Sequence, residues 1–469
     1  MYRCIVCRCG LVKLPVASLI VSRGARPSRF RAAGLLLLLA AGVVTAGSEP
    51  ASPGPSRQHP LLVGYFPQWG LYDEDQQFTV RKLVENGSAA MLDQLNYAQG
   101  FVKNGRCSVA DANADLNYRF TARTSVDGTA DSPASAFRGN FHQLVELKHL
   151  YPGLKILISL EGRGADFAAD AKPEARAAFV ASCVNVFLKG NFGPGASAPG
   201  LFDGIDIDWE YPGASGGANF LPLVAEFRRQ MNAFRPGLQL SVALGTSPDK
   251  YGNADIAAIG KLVDLAGLMT YDYNGPWART TGFIAPLAST EPNEGSVEAS
   301  VAAWEKAGLP AGKMLLGLPF YAYGWLNVRA GNHGLGQDGR PYAGDHPYWF
   351  IQTIIGSQGA QPATSPPDGR PQPGSGATAA RPHAAIYRDP VSQEPWLLDG
   401  STFWTYEDPV SIRSKAAFAQ SEHLAGLMVW ELSEDTATAT LLNAAYDALT
   451  HPRAAEHTAD ASDTKRTTR

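Results

Sequence analysis

The stretch Phe202-Asp203-Gly204-Ile205-Asp206-Ile207-Asp208-Trp209-Glu210-Tyr211-Pro212 sets four acidic residues into eight positions of an otherwise apolar run. Read as a strand, its alternation sends Asp206, Asp208 and Glu210 to one face and Ile205, Ile207 and Trp209 to the other. Carboxylates lined up on one face repel, and like charges at close range push at least one pKa upward. Such a row shares protons, binds a cation or does chemistry. A carboxylic acid that keeps its proton near neutral pH can protonate the leaving oxygen of a glycosidic bond. Two other readings compete. A solvated acidic edge strand fits poorly with Ile, Ile and Trp on the alternate positions. A calcium or magnesium site could use the same three carboxylates, but a calcium loop wants Gly at its sixth position and Glu at its twelfth. The sixth residue from Asp206 is Tyr211.

Elements able to hold this row recur along the chain. Short apolar runs at 61–66, 92–97, 155–160, 201–208, 238–244, 262–270, 314–320 and 425–430 read as strands, with helical stretches such as 139–151, 174–188 and 219–234 between them. Strand–helix alternation of this kind implies βαβ units and a parallel sheet. Eight units suggest a (β/α)8 barrel, whose functional residues gather at the C-terminal strand ends. Periodicity alone leaves an open doubly wound sheet as the alternative. Tyr65, Tyr97, Ser159, Glu210, Met269 to Asp272, and Trp430 all fall at such ends. The stretch between the seventh and eighth strands is too long for a simple loop, so residues 323–400 read as an inserted module. Within it, 363–382 is rich in Pro, Gly and Ser and reads as a surface loop.

The 469-residue chain has a formal net charge of −4, which argues against a nucleic-acid partner, since that would favour a basic stripe. Arg23, Arg26, Arg29 and Arg31 precede an apolar run over 32–44, and Val44-Thr45-Ala46 has the small residues of a cleavage site. Residues 1–46 therefore read as a secretory signal peptide, too short in its apolar part to span a bilayer comfortably. No Cys follows the run, which argues against a lipid anchor. The charged stretch before it is unusually long, and a later start such as Val21 would shorten it. Cys4, Cys7 and Cys9 lie upstream of the predicted cleavage, leaving Cys107 and Cys183, which could pair in an oxidising compartment. The tail after His451 is polar and reads as disordered.

The segment DGIDIDWEYP resembles the signature of glycoside hydrolase family 18, the chitinases and their relatives: Asp-x-x-Asp-x-Asp-x-Glu at the end of an apolar strand. The resemblance covers about residues 60–450. It implies a (β/α)8 barrel over 60–322 and 401–450 with a small α+β insertion over 323–400. It also implies cleavage of β-1,4 bonds between N-acetylglucosamine units, with the substrate's own acetamido group as nucleophile and no cofactor. By resemblance, Glu210 is the general acid, Asp208 orients the acetamido group and stabilises the intermediate, and Asp206 couples to Asp208. Asp203, out of phase, reads as structural. Met269-Thr270-Tyr271-Asp272 resembles the family's Met-x-Tyr-Asp motif, in which the Tyr hydroxyl bonds the acetamido carbonyl and the Asp faces the sugar and the acid. Trp430 matches the tryptophan that floors the reacting subsite, and Tyr65 and Ser159 match positions that steady the row. Tyr97 and Trp277 read either as sugar contacts or as packing aromatics.

Three departures stand out. Where the family's third strand ends Ser-x-Gly-Gly, often with Trp following, this chain reads Ser159-Leu160-Glu161-Gly162-Arg163. Tyr97-Ala98-Gln99 lacks the usual Phe at its third position, and Tyr323 stands where relatives often have Arg. Glu161 and Arg163 are thus expected to line the cleft and shift preference toward short or partly deacetylated chains. The resemblance leaves two alternatives to a secreted, monomeric chitinase: an endo-β-N-acetylglucosaminidase acting on glycans or peptidoglycan, and a lectin that binds without cleaving. Lectins of that kind typically lose the acid Glu, and Glu210 is present.

Overall fold

The computed structural model describes residues 59–451, except 75, 135–136, 290–294, 359–360 and 363–383, and for 162–165, 357–358 and 361–362 it describes the backbone alone. The leader with its three cysteines, the 363–382 loop, the tail after His451 and the Arg163 side chain lie outside the described residues.

Eight parallel strands close on themselves: β1 (Leu61–Pro67), β2 (Gln94–Lys103), β3 (Lys155–Arg163), β4 (Gly204–Glu210), β5 (Gln239–Leu244), β6 (Leu265–Leu268), β7 (Met314–Pro319) and β8 (Gly426–Trp430). Each pairs with its sequence neighbour, and β8 pairs back onto β1 to complete the barrel. Helices including Gly139–Leu150, Pro173–Cys183, Gly213–Phe234 and Pro409–Ser421 lie between strands. This is the (β/α)8 barrel expected from the strand–helix alternation, and the open sheet is excluded by the β1–β8 pairing.

Strand β4 shows how the pattern becomes structure. Ile205, Ile207 and Trp209 are fully buried in the shell between strands and helices. Trp209 stacks on Phe167 at 5.5 Å and meets the edge of Phe220, from helix Gly213–Phe234, at 5.9 Å. Burying three such side chains contributes roughly 1.5–3 kcal/mol each, and a slip of one residue would reverse both faces. At the strand's start a Cβ on Gly204 would sit 2.0 Å from the Gln239 carbonyl oxygen, so only glycine lets β4 and β5 come together there.

Strand β2 runs further than its apolar run suggests, because Asn104-Gly105 turns it into a hairpin with Arg106–Val109. Both turn residues have positive φ, the geometry for which Asn-Gly is the strongest short-range signal. The hairpin carries Cys107, whose disulfide to Cys183 ties it to the end of helix Pro173–Cys183.

Between β7 and β8 lies a largely antiparallel sheet accompanied by the helix Tyr348–Gln358. The sheet takes in Tyr321–Leu326 and Thr402–Thr405, so its ends fall just outside the 323–400 span read from the sequence. It is fastened to the barrel by buried polar groups. Lys415, on helix Pro409–Ser421, pairs with Glu407 and lies 3.6 Å from Glu394. Glu394 in turn accepts from the Ala285 N–H at 3.1 Å and from the Thr405 hydroxyl at 3.0 Å. Two carboxylates share one ammonium here, so one of them keeps a proton, and burial pushes Glu394 up to about 8. Among the described residues no helix is long and apolar enough to cross a membrane.

The sign of the resulting pH dependence is fixed. The folded state holds the Glu394 proton up to about pH 8, while the unfolded carboxyl releases it near 4.5. Stability from this group is full below the lower value and lost as pH rises to the upper one. The slope is about 1.4 kcal/mol per pH unit for one proton. Glu394→Gln should therefore gain stability relative to wild type as pH rises from about 5 to about 8, with the gain levelling off above. Urea denaturation at a series of pH values measures this, and a constant difference would place the proton elsewhere.

Candidate active site

Register builds the floor of the site. Ser159 on β3, Asp206 on β4 and Ser241 on β5 stand side by side as paired residues. All three face the barrel interior, where Asp206 is 1% exposed. The Ser159 hydroxyl donates to Asp206 Oδ2 at 2.8 Å, Tyr65 on β1 donates to the same oxygen at 2.7 Å, and Ser241 donates to Oδ1 at 2.5 Å. Burial raises the Asp206 pKa, and the three donors pull it partly back. Sequence reading found Tyr65 and Ser159 but missed Ser241. Its signal was available, since Ser241 is the polar residue at the middle of the run 238–244, with the apolar Leu240 and Val242 on either side.

Asp208 lies one step further up the row, buried, and alongside Glu161 in the β3–β4 register. Its Oδ1 is buried with no hydrogen-bond partner among the described residues. Burial, then Glu210, Asp206 and Glu161 in that order, raise its pKa well above the usual carboxylate range. Glu210 ends the strand and reaches solvent. Its pKa is also raised, first by loss of water among the surrounding walls and then by Asp272, against the opposing effects of a hydrogen bond from Tyr211 and the charge of Lys250. The row is thus a graded one: a pinned carboxyl at the bottom, an unpartnered one in the middle and a water-reaching one at the rim. Burial raises the pKa of all three carboxyls, and the outermost is placed to deliver a proton at the rim.

The loop after β6 brings the next groups. Tyr271 is buried and its pKa is raised by burial and by the charges of Asp208 and Asp272. Asp272 follows with φ of 61°, a left-handed conformation that Asp tolerates better than most residues. Its Oδ1 accepts from the Tyr321 hydroxyl at 2.6 Å, so the insertion sheet holds a carboxyl belonging to the barrel. Tyr323 also hydrogen-bonds Asp272 and meets the ring of Trp277, which is 60% exposed, at 5.5 Å. Trp430 packs on Tyr65 at 5.2 Å, with the exposed Trp69 at 6.2 Å on its other side. Met269 is half-buried and packs with the interior cluster that contains Tyr65 and Tyr271. Trp69 and Tyr321 were not picked out from the sequence, and Tyr321 carries no motif by which it could have been.

Tyr97 is a correction. The alternation of β2 turns it outward, fully buried between Phe66 at 5.7 Å and Phe141 at 5.4 Å. Its hydroxyl donates to Asp115 and accepts from Asn140 at 2.9 Å. It stands behind the strand, apart from the groups facing the cleft. Among the described residues no group of three or more His, Cys, Asp or Glu is arranged to hold a metal ion.

Residues 61–435 match the family model described as glycosyl hydrolases family 18. Chitinase C of Streptomyces lividans is 32% identical over 84% of this chain, and the match spans 60% of that protein's length. The catalytic domain of a psychrophilic chitinase B from Arthrobacter TAD20 superimposes with a TM-score of 0.72 at 28% identity, covering 84% of this chain and 96% of that one. A family 18 N-acetylglucosaminidase from Paenibacillus barengoltzii is 27% identical with a TM-score of 0.60, covering 83% and 100%. The chain belongs to glycosyl hydrolase family 18.

An unpartnered buried carboxyl between two others destabilises the fold that carries it, by roughly 1–3 kcal/mol for an unsatisfied polar group. Asp208→Asn removes the charge and supplies an N–H that can donate to either neighbour. Its melting temperature at pH 7 should exceed that of wild type, by about 1 °C per kcal/mol for a domain of this size. A lower value would show that Asp208 is satisfied in solution.

Proposed function

We propose that the protein is a chitinase that hydrolyses β-1,4 bonds between N-acetylglucosamine units with retention, using the substrate's acetamido oxygen as nucleophile. The observation that carries this reading is Asp208: a buried carboxyl oxygen without a partner, flanked by Asp206 and Glu210. An acetamido N–H would supply the missing donor and so turn the carbonyl oxygen toward the anomeric carbon. Glu210 donates its proton to the bridging oxygen, the C1–O bond breaks, and the acetamido oxygen bonds to C1. The oxazolinium charge that forms is offset by Asp208, whose own charge is held in place by Asp206 and its three hydroxyl donors. Glu210, now a carboxylate, takes a proton from a water that attacks C1, and the C1–O bond to the acetamido oxygen breaks, which regenerates the acetamido group. Tyr271 holds the acetamido oxygen, Asp272 faces the sugar, Trp430 floors the reacting ring, and Trp277 and Glu161 contact sugars along the cleft.

Residues 1–46 direct the chain to secretion in this proposal, and the enzyme works as a monomer. A second reading, release of single N-acetylglucosamine units, takes its support from the likeness to the Paenibacillus barengoltzii N-acetylglucosaminidase. Product sizes from a chitin hexamer separate the two.

Glu210→Gln should lose at least about 99% of turnover on chitin oligomers, because general acid catalysis contributes roughly 10²–10⁴-fold, while binding of the oligomer stays intact by calorimetry. Early in the wild-type reaction, proton NMR should show the β-anomer of the new reducing end before mutarotation. An initial α-anomer would mean direct attack by water and would overturn the role given to Asp208.

A further inference from the structure

Lys250 is a half-buried cation at the rim of the acidic row that neither the sequence motifs nor the proposed mechanism uses. It lies on the one-turn 3-10 helix Pro248–Tyr251, directly after β5. That turn is pinned. The hydroxyl of fully buried Tyr251 accepts from the Gly245 N–H at 2.9 Å, and its ring meets Trp304 at 5.3 Å. Trp304 in turn donates from Nε1 to the Gly245 carbonyl at 2.9 Å. The Ser247 hydroxyl accepts from the Asp249 N–H and caps the turn.

Gly245 itself is part of the construction. A Cβ there would come within 2.8 Å of Tyr211 Cε1 and 2.9 Å of Lys250 Cδ. The absent side chain is the space through which the Lys250 stem and the Tyr211 ring lie together. Lys250 Nζ then sits 4.4 Å from the centroid of the Tyr211 ring, a cation–π seat. Tyr211 directly follows Glu210 and hydrogen-bonds it. A lysine stem normally carries its ammonium out to water; here the fold holds it over the ring of the residue that follows the acid.

We propose that Lys250 is a positioning residue for the proton-transfer step: seated on Tyr211 through the gap at Gly245, its ammonium stabilises the Glu210 carboxylate as that charge forms. The inference rests on the reading of Glu210 as the acid. When the C1–O bond to a sugar leaving group breaks, the proton passes from Glu210 to the bridging oxygen and a negative charge appears on Glu210. Among the described residues the other charges felt by this carboxylate are negative: Asp272 after β6 and the coupled Asp208 on its own strand, which in turn feels Asp206 and Glu161. Arg163 is its backbone partner at the end of β3. A fixed cation near the forming charge acts in the transition state more than in the resting state, where an acid still holds its proton. Its effect must therefore scale with how much the leaving group needs the proton. A sugar alkoxide needs it, whereas an aryl oxide leaves unaided.

The test is Lys250→Met, which keeps most of the stem, assayed on N-acetylglucosamine tetramer and on the 4-nitrophenyl glycoside of the dimer. The kcat/KM for the tetramer should fall about tenfold or more while that for first-step release of nitrophenol changes less than about twofold. Without the ammonium, Glu210 holds its proton to higher pH, so the alkaline limb of the tetramer profile should move upward, and Lys250→Arg should restore most of both effects. An equal fall on the two substrates, or an unmoved limb, would make Lys250 merely structural. Glu210→Gln in the same assays separates this from the reading beneath it. If that variant spares the tetramer, the acid assignment fails. If it loses the tetramer while Lys250→Met does not, only the role of Lys250 fails.

Discussion

Asp206 sits on the barrel axis side of β4, and hydroxyls from β1, β3 and β5 converge on its carboxylate. Everything above it depends on that contact. A carboxyl buried to this degree is tolerable only when its lone pairs are filled, and filling them from three strands locks the register of those strands around the site. With Asp206 held, the strand period places Asp208 and Glu210 at successive heights of one inward face. Their mutual repulsion then becomes a property of the fold, and rearrangement cannot relieve it without breaking the hydroxyl cage.

The opposite face of β4 offsets that cost. Ile205, Ile207 and Trp209 are packed into the shell between strands and helices, with Trp209 stacked on Phe167. One strand thus carries the strongest apolar anchoring and the most unfavourable electrostatics in the site on alternate residues. The insertion between β7 and β8 acts in a similar way at the rim. Its Tyr321 holds Asp272, and the Glu394–Lys415–Glu407 group fastens its sheet to a barrel helix and to the loop that follows β6. The wall of the cleft and the carboxyl it presents are therefore positioned by one set of buried polar contacts.

How much of this was legible beforehand follows from the range of the forces involved. The alternation of β4, the strand–helix alternation and the presence of an inserted module are written in local periodicity and spacing, so the sequence by itself determined a parallel α/β sheet and the shared face of Asp206, Asp208 and Glu210, while closure into a barrel and the inward direction of that face rest on the β1–β8 pairing. Tyr65 and Ser159 were recognised because they stand in motifs. The choice between the two readings of Tyr97 was not legible, since the phase of β2 relative to its neighbours is set by cross-strand register and by the Asn104-Gly105 hairpin. Only the tertiary structure decided which hydroxyls reach Asp206, that Oδ1 of Asp208 is left without a hydrogen-bond partner among the described residues, that Tyr321 takes Asp272, and that Gly245 opens a seat for Lys250 on Tyr211. Each of these joins residues from different strands or loops, and a contact made through space leaves no period in the chain.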